Sequence, residues 1–332
     1  MLPSSKQLRE IATARAARGV LALAGRLGER RALAWGGALG RSWVRLGLAR
    51  TEDALVNLRI AFPEWSEARR RAVLERSFAN LGRGLAELAF LERLTAENVD
   101  DVVSVEGLEH FQAARARSPE VGVIALTAHF GNFELLAVAM ALRGIPITIV
   151  YRERAPDLEA TLLGWRELHG TTVVPRGSAA RGVLRALRDG RVVAMTLDQD
   201  TPRREGIFVP FFSRLACTRD APARIAMRTG APVLPVFLFR KGESHRHHMR
   251  CLPALALEAA GSDPEGAVRE NVRRMTHAIE EAIRQAPDQW AWSHRRWRTQ
   301  PPGEPRPYPP GRGWTRRLRV PPRPSSAPPK DR

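Results

Sequence analysis

The stretch His129-Phe130-Gly131-Asn132-Phe133-Glu134 places a carboxylate five residues after a histidine. An imidazole titrates near neutrality and can take a proton from a hydroxyl or amine. A neighbouring carboxylate can fix its tautomer and stabilise its charged form. The chemistry this implies is group transfer. Gly131 permits a tight backbone turn and Asn132 can cap a following helix, which leaves His129 in the preceding loop with both side chains able to reach one cleft. The same spacing also suits a histidine that fills a turn and a glutamate favoured by a helix N-terminus, so the pair alone does not decide.

Other chemically capable groups fall just after apolar runs. Arg152 in Tyr151-Arg152-Glu153-Arg154 can bind a phosphate or stabilise charge developing on a carbonyl oxygen. Asp198-Gln199-Asp200 precedes Arg203, Arg204 and the run Ile207-Phe208-Val209-Pro210-Phe211-Phe212. A D-x-D pair can hold a divalent cation, but such oxygen ligands are common in loops, and metal binding is the minor reading. Phe208, Phe211 and Phe212 suit an acyl-chain groove or ordinary core packing alike. Trp290-Ala291-Trp292-Ser293-His294-Arg295-Arg296-Trp297 interleaves aromatics with cations. Nucleic acid could stack there, but no standard nucleic-acid motif accompanies it, and the alternation equally suits an extended segment packed on a core. The run His245-Arg246-His247-His248 lacks partner ligands at metal spacing and reads as a solvated strand or turn.

These groups require a sheet to position them. Val121 to Thr127, Ile145 to Tyr151, Thr171 to Pro175, Arg191 to Leu197 and Pro232 to Phe239 read as strands, with another near His247 to Leu252. Helical patterns cover Phe133 to Leu142, Leu158 to Leu168, Ala179 to Leu187, Ala221 to Arg228 and Ala267 to Arg284. The alternation predicts an α/β fold with a central, mostly parallel sheet flanked by helices. Ligands of such sheets gather at the carboxyl ends of strands, where the polar groups above lie. Upstream, residues 51–98 predict an α-helical lead-in, with a break at Pro63 and Ser66 as N-cap of a helix from Glu67 to Leu94.

With 44% hydrophobic residues the chain can bury a core, which excludes wholesale disorder. Lys+Arg of 53 against Asp+Glu of 35 gives +18, favouring phosphates, anionic lipid or acidic proteins as partners. Two cysteines exclude a disulfide scaffold. Residues 1–50 carry ten Lys/Arg but only Glu10 and Glu29, and arginines interrupt every apolar run, so neither a spanning helix nor a secretory signal is predicted. On a helical wheel Trp35, Leu39, Trp43 and Leu46 share one arc opposite Arg41 and Arg45, as an interfacial helix or a core helix would require; glycines at 36, 37, 40 and 47 weaken it in isolation. From residue 299 to 332 the chain is rich in proline and arginine, and a disordered tail is expected.

Taken in order, these motifs resemble the lipid A biosynthesis late acyltransferases of the lysophospholipid acyltransferase superfamily. His129 to Glu134 is similar to that family's H-F-G-N-W-E block, and Asp198-Gln199-Asp200 through Phe211-Phe212 to its D-Q-D…P-F-F block. Asn57-Leu58-Arg59 with Ala61-Phe62-Pro63-Glu64 resembles N-L-x-x-A-F-P-E, and the tryptophan-rich segment resembles the closing W-x-H-R-R-W/F. The likeness runs from about residue 50 to 298 and departs at Ser213, where the family has glycine. It implies a glycerolipid-acyltransferase-like fold over 51–298, His129 as general base with Glu134 completing the dyad, and Arg152, Asp198, Asp200, Gly131 and Asn132 around the substrates. It further implies an acyl-carrier-protein or coenzyme A thioester as co-substrate, no metal or other cofactor, and a lipid acceptor at the cytoplasmic face of an anionic inner membrane; the family often carries an N-terminal spanning helix, and the arginines that break this region here favour peripheral attachment instead. Nucleic acid is not an expected partner. Related enzymes acylating other glycolipids from coenzyme A thioesters share the pattern, as does a catalytically silent basic membrane- or nucleic-acid-binding protein.

Overall fold

The structure is a computed structural model that describes residues 19, 21–48, 50–151, 169–175 and 179–309. Helices α1 (Glu29–Arg45), α2 (Thr51–Ala61) and α3 (Glu67–Glu87) form the lead-in, and α3 passes into a 3-10 turn at Leu88–Arg93. Ser66 caps α3 as predicted, its hydroxyl accepting from the Arg69 N–H. After a one-turn helix α4 (Val99–Val102) come β1 (Val103–Glu106), α5 (Leu108–Arg117), β2 (Val123–Thr127), α6 (Phe133–Leu142), β3 (Ile147–Tyr151) and β4 (Thr172–Pro175). Then follow α7 (Ala179–Arg188), β5 (Val192–Thr196), β6 (Gly206–Phe211), β7 (Arg214–Arg219), α8 (Ala221–Thr229), β8 (Val233–Arg240), β9 (His247–Cys251) and α9 (Pro264–Gln285). Each predicted strand is present within two residues at either end. The predicted helix at Leu158 to Leu168 lies outside the described residues.

Seven strands form one sheet in the order β1-β9-β8-β2-β5-β3-β4. The pairs β8/β2, β2/β5, β5/β3 and β3/β4 are parallel, and the sheet turns antiparallel at β8/β9. It is therefore mixed but mostly parallel, with helices against it. Strand β2 is buried at every position because it is central and covered on both faces. The run Ile207 to Phe212 gives a separate antiparallel hairpin, β6/β7, turned by Phe212 and Ser213. A two-residue hairpin turn needs positive φ, and Phe212 adopts it at 53° where glycine or asparagine is usual. Contacts with Phe62, Phe211 and Trp292 hold the ring in place.

The glycines of α1 have a different consequence from the one composition suggests. A Cβ at Gly36 would lie 2.4 Å from the Gly82 carbonyl oxygen, and one at Gly40 would lie 2.0 Å from that of Phe78. The backbones of α1 and α3 thus touch, and the residues that weaken an isolated helix allow this one to pack. Of the predicted apolar arc, which flanks this glycine face, Trp35 is half-buried while Leu39, Trp43 and Leu46 are 46%, 40% and 69% exposed. Arg41 and Arg45 pair with Glu243 and Glu75. No helix among the described residues is long and apolar enough to cross a membrane.

The body also continues past the predicted boundary at residue 298. Gln300 and Tyr308 are buried, and the Tyr308 hydroxyl donates to Asn57 Oδ1 while accepting from the Trp297 N–H at 3.0 Å. Proline and arginine content suggested disorder from residue 299, but aromatic burial and these hydrogen bonds fix the chain to 309. Residues 310–332 lie outside the described set.

Candidate active site

Thr127 and Thr196 are register partners at the carboxyl ends of parallel strands β2 and β5. Two residues beyond each, His129 and Asp198 face one another. The His129 Nδ1 lies 3.0 Å from Asp198 Oδ1, and the His129 backbone N–H donates to Oδ2 at 3.0 Å. The Trp290 indole N–H adds a third bond to Oδ2 at 2.8 Å. Burial alone would raise the Asp198 carboxyl pKa, but the charge and hydrogen bonds of His129, with the Trp290 bond, hold it well below the usual carboxylate range. An ionised carboxylate only accepts, so Nδ1 carries the ring proton and Nε2 is left as the basic nitrogen. Asp198 is 2% exposed and His129 28%, which turns the ring from a dry carboxylate toward solvent.

Gly131 makes this turn possible. Its φ is +56°, and a Cβ there would lie 1.9 Å from the Leu238 carbonyl oxygen on β8. Its N–H donates to the Gln289 carbonyl, and Ala291 N–H donates to that of His129, so the tryptophan-rich segment runs beside the histidine loop as an extended strap. Trp290, Trp292 and Trp297 are fully buried, in keeping with the core-packed reading of their alternation. Asn57 donates from Nδ2 to the carbonyls of Trp292 and His294, which gives the upstream Asn-Leu-Arg motif the task of tying the strap to α2.

Asn132 caps α6, its Oδ1 accepting from Leu135 N–H at 3.1 Å. Its Nδ2 donates to Glu87 Oε2 at 2.8 Å, inside a buried network in which Arg240 and His247 also hold the Glu87 carboxylate. Burial pushes Glu87 up, but the His247 bond and the Arg240 guanidinium outweigh it and lower its pKa to about 2. His247 is therefore no solvated turn residue: it starts β9 with its ring packed under the site. Sequence reasoning missed Glu87, Arg240 and His247, because their meeting depends on α3 crossing the β8/β9 pair.

The remaining candidates separate. Glu134 lies half-buried in the first turn of α6, and the Asp198 carboxylate is at hydrogen-bond distance from the imidazole. Asp200 turns the other way: its carboxylate accepts from Thr299 N–H at 2.8 Å and from Arg298 Nε at 3.1 Å. Phe211 and Phe212 are buried among Trp290, Trp297, Phe62 and Trp292, and Phe208 is half-buried on β6. Arg152 lies outside the described residues. Gln199, between the two aspartates, is exposed and places its amide nitrogen 3.1 Å from His129 Nε2. His294 is pushed down to about 4 by burial, opposed by Asp198. At neutral pH it is uncharged and leaves the Asp198 charge to His129.

A solvent-facing imidazole fixed by a buried carboxylate at the carboxyl edge of a parallel sheet has the chemistry to take a proton from a hydroxyl. The chain belongs to the family described as bacterial lipid A biosynthesis acyltransferase, which matches residues 3–299, and it is an O-acyltransferase. It is 28% identical over 274 residues to a lipid A biosynthesis lauroyltransferase of Escherichia coli, covering 82% of this chain and 87% of that one. A lipid A biosynthesis myristoyltransferase of the same organism is 28% identical over 271 residues, covering 81% and 82%. Lipid A biosynthesis acyltransferase 1 of Shigella flexneri is 29% identical over 273 residues, again 81% and 82%.

Proposed function

We propose that this chain moves a fatty acyl group from a carrier thioester, acyl carrier protein or coenzyme A, to a hydroxyl of a lipid A precursor. His129 is the general base. The observation that carries this reading is the Asp198 bond to Nδ1, which leaves Nε2 as the basic nitrogen. The acceptor hydroxyl gives its proton to Nε2 as its oxygen bonds to the thioester carbonyl carbon. The tetrahedral intermediate then collapses with cleavage of the C–S bond, and the imidazolium returns the proton to the departing thiolate. Asp198 stabilises the imidazolium between these steps. Glu134, in the same helix turn as the Asn132 cap, completes the dyad by helping to orient the imidazole, as the family resemblance implies. Arg152 acts on the carbonyl oxygen or donor phosphate, as the family resemblance implies.

The Gln199 amide nitrogen lies 3.1 Å from Nε2 and 3.3 Å from Nδ1, against the face of the ring, so its side chain borders the space through which the acceptor hydroxyl reaches Nε2. The exposed Leu39 and Trp43 of α1 and Leu46 just after it, with the chain's excess of arginine, support peripheral attachment to an anionic bilayer, at the cytoplasmic face of the inner membrane. No cofactor is needed, because a preoriented hydroxyl and a thioester require proximity, a base and carbonyl polarisation.

The test incubates purified wild type and His129→Ala with a tetraacylated lipid A precursor and either acyl carrier protein or coenzyme A thioesters, and follows product mass. Gain of one acyl chain with wild type only is the expected result, and the better donor identifies the carrier. Equal turnover by both proteins overturns the mechanism.

A further inference from the structure

We infer that an open cleft beside the Asp198-Gln199-Asp200 loop is a phosphate-binding subsite, walled by Arg203, Arg298 and Arg306. This rests on the acyl-transfer reading for its place in catalysis but not for its chemistry. The cleft has a volume of about 580 Å³ and is bounded by the segment from Arg298 to Arg306. That is the size of a small-ligand site rather than a surface dimple.

Its charge is unbalanced. Three arginines line it against one carboxylate, Glu304, which lies 3.8 Å from Arg214 outside the lining. Arg298 is held through Nε and Nη2 by buried Asp200, and Arg203 through Nε and Nη2 by the Gln300 carbonyl. Both leave Nη1 for another acceptor. Arg306 forms no ion pair or hydrogen bond with any described residue. Two arginines fixed by protein acceptors and a third with no partner among the described residues form an anion receptor, and planar guanidiniums match phosphate oxygens geometrically.

The location gives the receptor a purpose. Asp200, which fixes Arg298 and the Thr299 backbone, is two residues from Asp198, which fixes His129. Two residues span at most about 7 Å of backbone, so the cleft and the base hang on one loop, with the Asp200 side chain turned to the cleft and that of Asp198 to His129. Both substrate types carry a phosphate: the donor on its carrier arm and the acceptor on its sugar.

Titration of the full chain with inorganic phosphate, by calorimetry, tests the site without any acyl transfer. Saturable binding in the millimolar range is expected for wild type, at least tenfold weaker for Arg306→Gln, and unchanged for Arg228→Gln, a surface charge control on α8. Arg306 is exposed and has no partner among the described residues, so its replacement leaves the described fold intact, which circular dichroism checks. Equal phosphate binding by wild type and Arg306→Gln overturns the proposal. Inhibition kinetics then assign the source. Phosphate competing with the lipid acceptor assigns the cleft to the headgroup, and phosphate competing with the thioester assigns it to the carrier; competition with neither removes the cleft from the reaction. Phosphate binding without acyl transfer leaves the receptor standing and refutes the proposed function.

Discussion

Asp198 meets His129 twice, once at the backbone N–H and once at the ring, so one buried carboxylate sets both the path of the loop and the tautomer of the base. Asp198→Asn keeps the shape but can present its amide to Nδ1, which favours the opposite tautomer. Its expected effect is a fall in kcat of about 100-fold or more. The loss should equal or exceed that of Glu134→Gln, measured with the same thioester and acceptor. A wild-type rate for Asp198→Asn would return the dyad to Glu134.

Gln199 predicts the reverse sign. Its side chain lies against the imidazole where the acceptor must approach, so Gln199→Ala should lower the acceptor KM, by about threefold for relief of a polar contact of roughly 0.5–1 kcal/mol. Steady-state kinetics at fixed donor concentration measure it, and a raised KM would make Gln199 a substrate ligand instead.

Acid should weaken the fold in two stages. His294 has its pKa depressed to about 4 in the folded chain, so the unfolded chain binds more protons as pH falls from about 6.5 to 4, and stability declines over that window. Glu87, depressed to about 2, contributes stability above its unfolded value of 4.5 that is lost as pH falls from there toward 2. Denaturant midpoints measured from pH 7 to 4 should fall, and His294→Phe should flatten the upper part of the decline. A pH-independent midpoint would contradict the burial of His294.

Replacing Gly40 with valine sets a side chain against the Phe78 carbonyl, which belongs to a helix backbone and cannot yield cheaply. The expected cost is about 1–3 kcal/mol, with α1 becoming more accessible to protease than α3. Limited proteolysis followed by mass mapping distinguishes this local release from global unfolding.

The sheet was legible because its strands are short apolar runs ending in polar residues, and the two runs that matter most end at Thr127 and Thr196. What the spacing from His129 to Glu134 could not reveal was a competitor 69 residues away. Strand register brings Asp198 to the ring, and register is a property of pairing rather than local pattern. The signal was nevertheless present: both residues stand two places beyond a strand end. Strand β1 and the β6/β7 hairpin escaped for different reasons. The first is four residues long, and the second has a phenylalanine where a turn residue is usual. The network of Glu87, Arg240 and His247 joins three distant segments and has no one-dimensional signature.

The clasp between Tyr308 and Asn57 sets where this protein can be shortened. The family match ends at residue 299, and an expression boundary drawn there would delete Tyr308 while retaining both groups it serves, Asn57 Oδ1 and the Trp297 N–H. Each is buried and would be stranded without a partner, at about 1–3 kcal/mol apiece. The strap that lines the histidine loop would then be loosened from α2 at the same stroke. A fragment ending at 309 keeps the clasp closed, so the smallest useful piece of this enzyme is longer than its homology.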